Sequence, residues 1–319
     1  MSVPLLEIND LQLSFATALG ISRALRGVDL AVQRGVSVGL VGESGCGKTM
    51  TGRSVLGLLP PNARVSGRVL LDGIDLLALP VERLREIRGS RVAMIFQDPA
   101  AALNPVFSVG EQLSAVIRHH RVSLPGRELD KAAQLLAEVR LSDPERLLTR
   151  YPYQLSGGMQ QRVMIAMALS ASPELLIADE PTTSLDVTVQ AQILDLLDEL
   201  RRRRELAVLL ITHNMDVVRR ATQEVAVLYA GRVVEHGATH EVLGSPRHPY
   251  TQALLAALPR LGGRRQPLQA IAGSVPRGDE AIQGCVFASR CAYAMDICRD
   301  NPPRESGAEH SVWCWLYPS

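Results

Sequence analysis

Aromatic residues are scarce in this chain of 319 residues: Phe, Tyr and Trp make up 4%, and only two are tryptophan. Leu, Val, Ile and Ala must therefore fill any core. An apolar content of 46% supplies enough of them for two compact domains, or for one large domain with an appendage. A basic excess is also missing. Lys and Arg number 34 against 33 Asp and Glu, a formal charge of +1, which argues against a general nucleic-acid binder. No apolar run approaches the ~18–20 residues that a membrane-spanning helix needs. The N-terminal MSVPLLEIND has no basic segment followed by an apolar stretch, so no secretory signal is expected and the chain should stay in the cytosol. Internal repeats and low-complexity tracts are absent. Disordered, collagen-like and integral-membrane classes are thereby excluded.

What the chain does have is a rhythm of short apolar runs. VSVGLVG (36–42), RVAMIF (91–96), ELLIAD (174–179), AVLLIT (207–212) and EVAVLYAG (224–231) read as buried parallel strands. Longer stretches with helical spacing lie between them; Ile193, Leu196, Leu197 and Leu200 mark one helix face. The expected fold class is α/β with a mostly parallel sheet. Residues 1–97 and 173–240 are expected to form the core, and 98–172 a helical insertion. After residue 240 the rhythm stops and the composition turns rich in proline and cysteine, so 241–319 reads as a separate appendage. The basic run Arg201 to Arg204 ends a predicted helix and complements its dipole.

Chemistry enters with GESGCGKT at 42–49. It matches G-x-x-x-x-G-K-[ST] and lies between a predicted strand and a predicted helix, the context this phosphate loop requires. Its glycines let backbone N–H groups turn toward phosphate oxygens, and the following helix directs its N-terminus at the same anion. Lys48 can reach the β and γ phosphates, and the Thr49 hydroxyl can bind Mg²⁺. LLIADE (175–180) ends a strand on Asp179, a second Mg²⁺ ligand, followed by Glu180, positioned to polarise an attacking water. Gln97 and His213 also follow predicted strands; the first can ligate the metal, the second can bond the γ phosphate or the water. All four stand just past strand C-termini, where open α/β sheets bind ligands.

LSGGMQQR (155–162) adds a second anion-binding helix start. Ser156 can cap that helix, and Gly157 and Gly158 expose its first amides. The phosphate loop already serves the chain's own nucleotide, so this second start points to the nucleotide of another polypeptide. The combination resembles the ATP-binding cassette (ABC) ATPases over about residues 5–240. The resemblance implies a P-loop NTPase (RecA-like) core with a helical signature subdomain. It implies an ATP site of Gly42, Glu43, Ser44, Gly45, Cys46, Gly47, Lys48, Thr49 and Met50; Phe15, the one aromatic in residues 10–35, is either the residue that stacks on adenine or a core strand residue. Mg²⁺ would be held by Thr49, Gln97 and Asp179, and hydrolysis carried by Glu180 and His213 with Lys48 and Gln97. Ser156, Gly157, Gly158 and Met159 would face the partner's ATP, and Ser184 and Asp186 form the D-loop. In that family two cassettes pair head to tail, ATP closes the pair, and hydrolysis reopens it to drive membrane subunits.

MIFQDPAAALNPVFSVGEQ (94–112) and SPRHPYTQALLAALP (245–259) are similar to the oligopeptide, dipeptide and nickel importer branch. In the second segment Pro249 suits a first helical position, and Leu254, Leu255 and Leu258 form an apolar stripe. The branch implies an ATPase on the cytoplasmic face of the inner membrane. Its partners would be a second ATPase subunit (a paralogue, in a heterodimer), two permease subunits and an extracytoplasmic solute-binding protein, with no nucleic acid. Di- and oligopeptides are the implied cargo, with nickel as the alternative. A soluble member acting on DNA or ribosomes would carry coiled-coil insertions, a zinc module or two cassettes. One phosphate loop, one signature and a charge near zero argue against it.

Cys285, Cys291, Cys298 and Cys314 lie within 30 residues, while Cys46 stands apart in the phosphate loop. A cytosolic setting disfavours disulfides and favours a thiolate metal site. The spacings lack the close pairs usual for zinc, whereas iron–sulfur clusters accept more varied ones. The pattern resembles the tail of some dipeptide-importer ATPases, which implies a [4Fe–4S] cluster; zinc and plain reduced thiols are the alternatives. His310 is read as a surface residue, or as an alternative ligand.

Overall fold

The computed structural model describes residues 3–18, 20–183, 185–257 and 271–317. They fall into two compact units, one of Met1–Gln33, Ser37–Ala78 and Ile211–Ser319, the other of Arg34–Val36 and Leu79–Leu210. The fold is α/β and its core strands are the expected ones, trimmed by a residue or two at their ends.

The first unit opens with β1 (Leu6–Thr17), β2 (Gly20–Val32), β3 (Ser37–Val41), α1 (Lys48–Val55), β4 (Ala63–Leu71) and β5 (Ile74–Asp75). Four of these strands form an antiparallel sheet in the order β2-β1-β4-β5, which strand-like runs in the sequence did not announce. In β1 the buried apolar residues are Leu6 and Ile8, then Leu11 and Leu13. Two residues, Asn9 and Asp10, separate the pairs and the register shifts there, so the period-2 alternation breaks in the middle. Asp10 takes a left-handed φ of 47°, and its N–H donates to the Asp29 carboxylate at 2.8 Å.

The second unit holds α2 (Val81–Ile87), β6 (Val92–Ile95), α3 (Pro99–Ala102), α4 (Val109–His119), α5 (Glu128–Glu138), α6 (Pro144–Leu148), α7 (Gly157–Leu169), β7 (Leu175–Asp179) and α8 (Val187–Arg204). Strand β8 (Ala207–Thr212) follows and ends in the first unit. β6 and β7 pair in parallel, and every residue of β6, β7 and β8 is buried, which is why they read as unbroken apolar runs. Side-chain caps set the helix starts: Asp98 accepts from two amides of α3, and Ser108 and Glu111 form a reciprocal capping box on α4. The arginines that end α8 are engaged locally. Arg201 donates to the Gly35 carbonyl, Arg202 and Arg203 pair with Asp198 and Glu199, and Arg204 donates to the Leu169 carbonyl that ends α7.

The chain returns to the first unit with α9 (Met215–Ala221), β9 (Glu224–Tyr229), β10 (Arg232–Ala238), α10 (Thr239–Gly244), α11 (Pro249–Ala256), α12 (Ile297–Asp300), β11 (Glu305–Ser306) and β12 (Ser311–Trp313). Within this unit the strands run β11-β12-β10-β9-β3. β9 lies parallel to β3, and the others are antiparallel. The tail is joined to this sheet and its core. Its β12 pairs with β10, and its Tyr250, Val286 and Phe287 share one apolar core with Val41 of β3 and Val225, Val227 and Tyr229 of β9. Helix α11 starts at Pro249 as the sequence suggests; Leu254 and Leu255 pack on that core, while Leu258 lies outside the described residues.

The tail's hold on β10 centres on Glu235, which is fully buried. Its carboxylate accepts from the backbone N–H groups of Arg247 at 2.7 Å and His248 at 3.0 Å, and shares a 2.7 Å hydrogen bond with His310 Nε2. His310 is thus neither a surface residue nor a wall of the cysteine pocket. It is buried as the partner of Glu235, a role invisible in the sequence because the two lie 75 residues apart.

Candidate functional site

In the first unit the loop after β3 runs directly into α1, whose N-cap is Gly47. Gly47 has φ 110°, and a Cβ there would come within 2.7 Å of Leu25 Cδ2 and 2.9 Å of the Ala24 carbonyl. Only glycine fits that conformation and approach. The N-cap of α1 makes no side-chain cap bond, the arrangement of an anion-binding helix start. Lys48 is buried; its ammonium donates to the carbonyls of Gly42 at 2.8 Å and Glu43 at 2.9 Å and lies 3.8 Å from Cys46 Sγ. The ammonium is thus held within its own loop. Cys46 is buried too, and burial pushes its thiol up, which makes it inert packing. Ser44 and Gly45 are exposed at the loop tip, and Thr49 and Met50 are partly exposed on the first turn of α1. Phe15 lies in β1, half-buried, opposite Ser22 and Ala63. His213 follows β8 and is exposed.

The second unit carries the acidic pair. Asp179 ends β7 and is buried. Glu180 takes a φ of 47°, a strained region for a side chain of this kind and one that recurs at functional sites. Its carboxylate accepts from Gln97 Nε2 at 3.1 Å and from the Thr183 hydroxyl at 2.7 Å. Gln97 and Glu180 were expected to act at one centre, and here they touch. Thr183 was not singled out in the sequence, although it stands three residues after Glu180, within reach of a turn.

Ser156 caps α7, its hydroxyl accepting from the Met159 N–H at 3.4 Å, and Gly157 is exposed at the helix start. A Cβ on Gly158 would meet Val189 Cγ1 at 2.7 Å, so this position packs α7 against α8 and admits no larger residue. Asp186 caps α8, accepting from the N–H groups of Thr188 and Val189. Ser184 lies outside the described residues.

The four tail cysteines all line one small apolar pocket, together with His248, Phe287 and Trp315. Burial pushes the Cys285 thiol up to about 11, with the other three cysteines adding to the shift; burial also raises Cys291 and Cys314. Against the expectation of a metal site, no group of three or more His, Cys, Asp or Glu among the described residues is arranged to hold a metal ion.

A family model described as ABC transporter matches residues 25–183, and one described as oligopeptide/dipeptide transporter, C-terminal region, matches residues 234–298. The chain is 47% identical over 316 residues to a probable peptide ABC transporter ATP-binding protein of Sinorhizobium fredii, covering 98% of this chain and 94% of the relative. It is 44% identical over 316 residues to the dipeptide transport ATP-binding protein DppD of Bacillus subtilis, with the same coverage. The oligopeptide transport ATP-binding protein OppD of Salmonella typhimurium is 43% identical over 302 residues, covering 95% and 90%. Among solved structures, a dimeric post-hydrolysis state of the ATP-binding cassette MJ0796 bound to ADP and Pi is similar. Its TM-score is 0.66 at 28% identity, over 73% of this chain and 98% of that one.

Proposed function

Because this chain belongs to the ATP-binding subunits of ABC transporters, we propose that it is the ATP-hydrolysing subunit of an importer for di- and oligopeptides. The observation that carries the reading is the join of two parts in one chain. A complete phosphate loop opens α1 without a side-chain cap, and a peptide-transporter C-terminal region follows the cassette.

ATP and Mg²⁺ are the cofactors of this family. Their chemistry fits the residues present, which offer a lysine, helix amides and hard oxygen donors. Gly42, Glu43, Ser44, Gly45, Cys46, Gly47 and Met50 form and flank the phosphate loop, Lys48 takes β and γ oxygens, and Phe15 stacks on adenine. Thr49, Gln97 and Asp179 serve Mg²⁺. Glu180 polarises the attacking water, and His213 bonds the γ phosphate. Ser156, Gly157, Gly158 and Met159 meet the partner's ATP, with the D-loop at Ser184 and Asp186. For Lys48→Ala we expect MgATP affinity to fall about 10- to 100-fold, from loss of charge-assisted hydrogen bonds. Equilibrium binding of labelled ATP checks this, and unchanged affinity would remove Lys48 from the site.

Among the described residues no helix is long and apolar enough to cross a membrane, so the reading calls for partners that supply the pore. We place the chain at the cytoplasmic face of the inner membrane with a paralogous second ATPase, two permease subunits and an extracytoplasmic binding protein. A docking face for the permease is available in the second unit. Val106 and Phe107 are exposed before α4, beside a cleft of about 960 Å³ that α4 lines with Leu129 and Leu148.

The four cysteines are proposed to hold a [4Fe–4S] cluster. Four thiols on one pocket are the donor set such a cluster would need. His248 adds a second indication. Its Nδ1 accepts from the Tyr250 N–H at 3.0 Å, and burial pushes the ring down to about 3, so the neutral imidazole carries its proton on Nε2. That buried Nε2 has no hydrogen-bond partner, and the ring lines the cysteine pocket. A cluster's sulfur atoms would supply the acceptor it lacks. When bound, such a group would bridge the tail's turns covalently. Protein purified without oxygen should be brown, with about four iron and four sulfide per chain, as the cluster type requires. Colourless protein with stoichiometric zinc would exclude the cluster.

A further inference from the structure

Glu43, the second residue of the phosphate loop, is gripped from the tail at two points. Its backbone N–H donates to the Tyr250 hydroxyl at 2.9 Å. Its carboxylate accepts from both terminal nitrogens of Arg290, at 2.7 and 3.2 Å. The Arg290 side chain is only 4% exposed, and its remaining donors are used as well. They reach the Tyr229 hydroxyl at 3.3 Å and the carbonyls of Ala272 at 2.9 Å and Ile271 at 3.3 Å. The guanidinium also sits over the Tyr229 ring, 5.7 Å from its centroid. A planar fork so enclosed fixes the orientation of the carboxylate that it holds, which a lysine's point charge cannot do.

The third polar group of Glu43 points back into the loop. Its carbonyl accepts from Lys48 Nζ at 2.9 Å and from the Cys46 N–H at 3.3 Å. One residue thus joins the tail to the lysine that the phosphates need. The amide of Glu43 is committed to Tyr250, so it is not among the loop amides offered to an anion. Both tail residues are firmly placed. Tyr250 is fully buried in the unit's core, and Arg290 ends a short turn, Ala288–Arg290, that leads directly into Cys291.

We propose that Arg290 and Tyr250 are positioning residues for ATP, holding the phosphate loop in its binding form through Glu43. The inference rests on the reading of residues 42–49 as the ATP phosphate site. Both reach the loop through Glu43. They act by removing the loop's freedom before ATP arrives, which lowers the cost of binding and leaves the chemical step alone. The charge state suits the task, because the Glu43 carboxylate stabilises the Arg290 cation and burial keeps the Tyr250 phenol protonated.

The test is steady-state ATP hydrolysis and labelled-ATP binding by the full chain, wild type against Arg290→Gln, Arg290→Lys, Glu43→Gln and the Arg290→Gln/Glu43→Gln pair. Arg290→Gln should raise the KM for ATP by about 10- to 100-fold with kcat within about threefold, and Arg290→Lys should recover part of the loss. The double variant should be no worse than the worse single one, since both remove the same pair. A purely structural role would lower the active fraction at unchanged KM; that result, or additive effects in the double variant, would overturn the proposal. Should Arg290→Gln fail to fold, Glu43→Gln decides alone, because it keeps the Tyr250 contact and nearly the same shape. An unchanged KM there counts against the clamp. Lys48→Ala in the same binding assay separates the two readings: if it binds ATP normally, the assignment of the phosphate site fails, and not merely the clamp upon it.

Discussion

Replacing Glu180 by glutamine is expected to lower the rate of ATP hydrolysis by about 10²- to 10⁴-fold, the range typical for loss of a general base, while MgATP remains bound. Glu180 stands just past β7 in a left-handed conformation, and it persists there because its neighbours fix it. Gln97 and Thr183 both donate to its carboxylate, which aims the group. A glutamine keeps the shape and can still accept from Thr183 through its amide oxygen. It cannot take a proton, so the loss should fall on kcat and not on ATP affinity. Single-turnover hydrolysis beside equilibrium binding separates the two. Unchanged hydrolysis would take the role of base away from Glu180. The further consequence is a trapped, ATP-loaded pair, since opening waits on hydrolysis in the proposed cycle.

Glu235→Ala is expected to destabilise the first unit by about 3–5 kcal/mol, the usual result of removing one partner from a buried polar network. The carboxylate is fully buried and serves two backbone amides and His310. Its loss strands all three donors away from water, at the point where the tail meets β10. For a unit of this size the midpoint of thermal unfolding should fall by about 6–20 °C. Glu235→Gln, which retains an acceptor oxygen, should lose less. Calorimetry on the full chain reads both variants. A midpoint within a degree of wild type for Glu235→Ala would mean that solvent reaches these groups and that the tail is held by other means. Because His248 lies in the same network, iron content should also fall in Glu235→Ala if the cysteine pocket holds a cluster.

The residues legible from sequence were those whose chemistry depends on near neighbours. β3, β6, β7, β8 and β9 are buried on both faces, so each announced itself as an apolar run. The phosphate loop and the α7 cap are local motifs and appeared as such. The antiparallel sheet escaped notice because the bulge at Asn9 and Asp10 breaks the alternation of β1. Composition marks the change of style at the tail but carries no information about its pairing. What binds it to the unit is long-range: Glu235 with His310, β10 with β12, and Arg290 with Glu43, which lie 247 residues apart. No spacing rule reaches that far. His248 shows the limit most plainly. Pro249 after it marks a helix start in the sequence, but the direction of the His248 Nε2 depends on the Tyr250 amide and on a pocket built from residues 285–316.

The most direct measurement is uptake in cells that lack this chain, complemented with wild type or with Glu180→Gln, using labelled di- and oligopeptides with nickel in parallel. Peptide uptake restored by wild type and not by Glu180→Gln is the expected result, and it would establish the chain as the motor of a peptide importer. Nickel uptake without peptide uptake would contradict the assigned cargo, and equal restoration by both forms would contradict the motor itself.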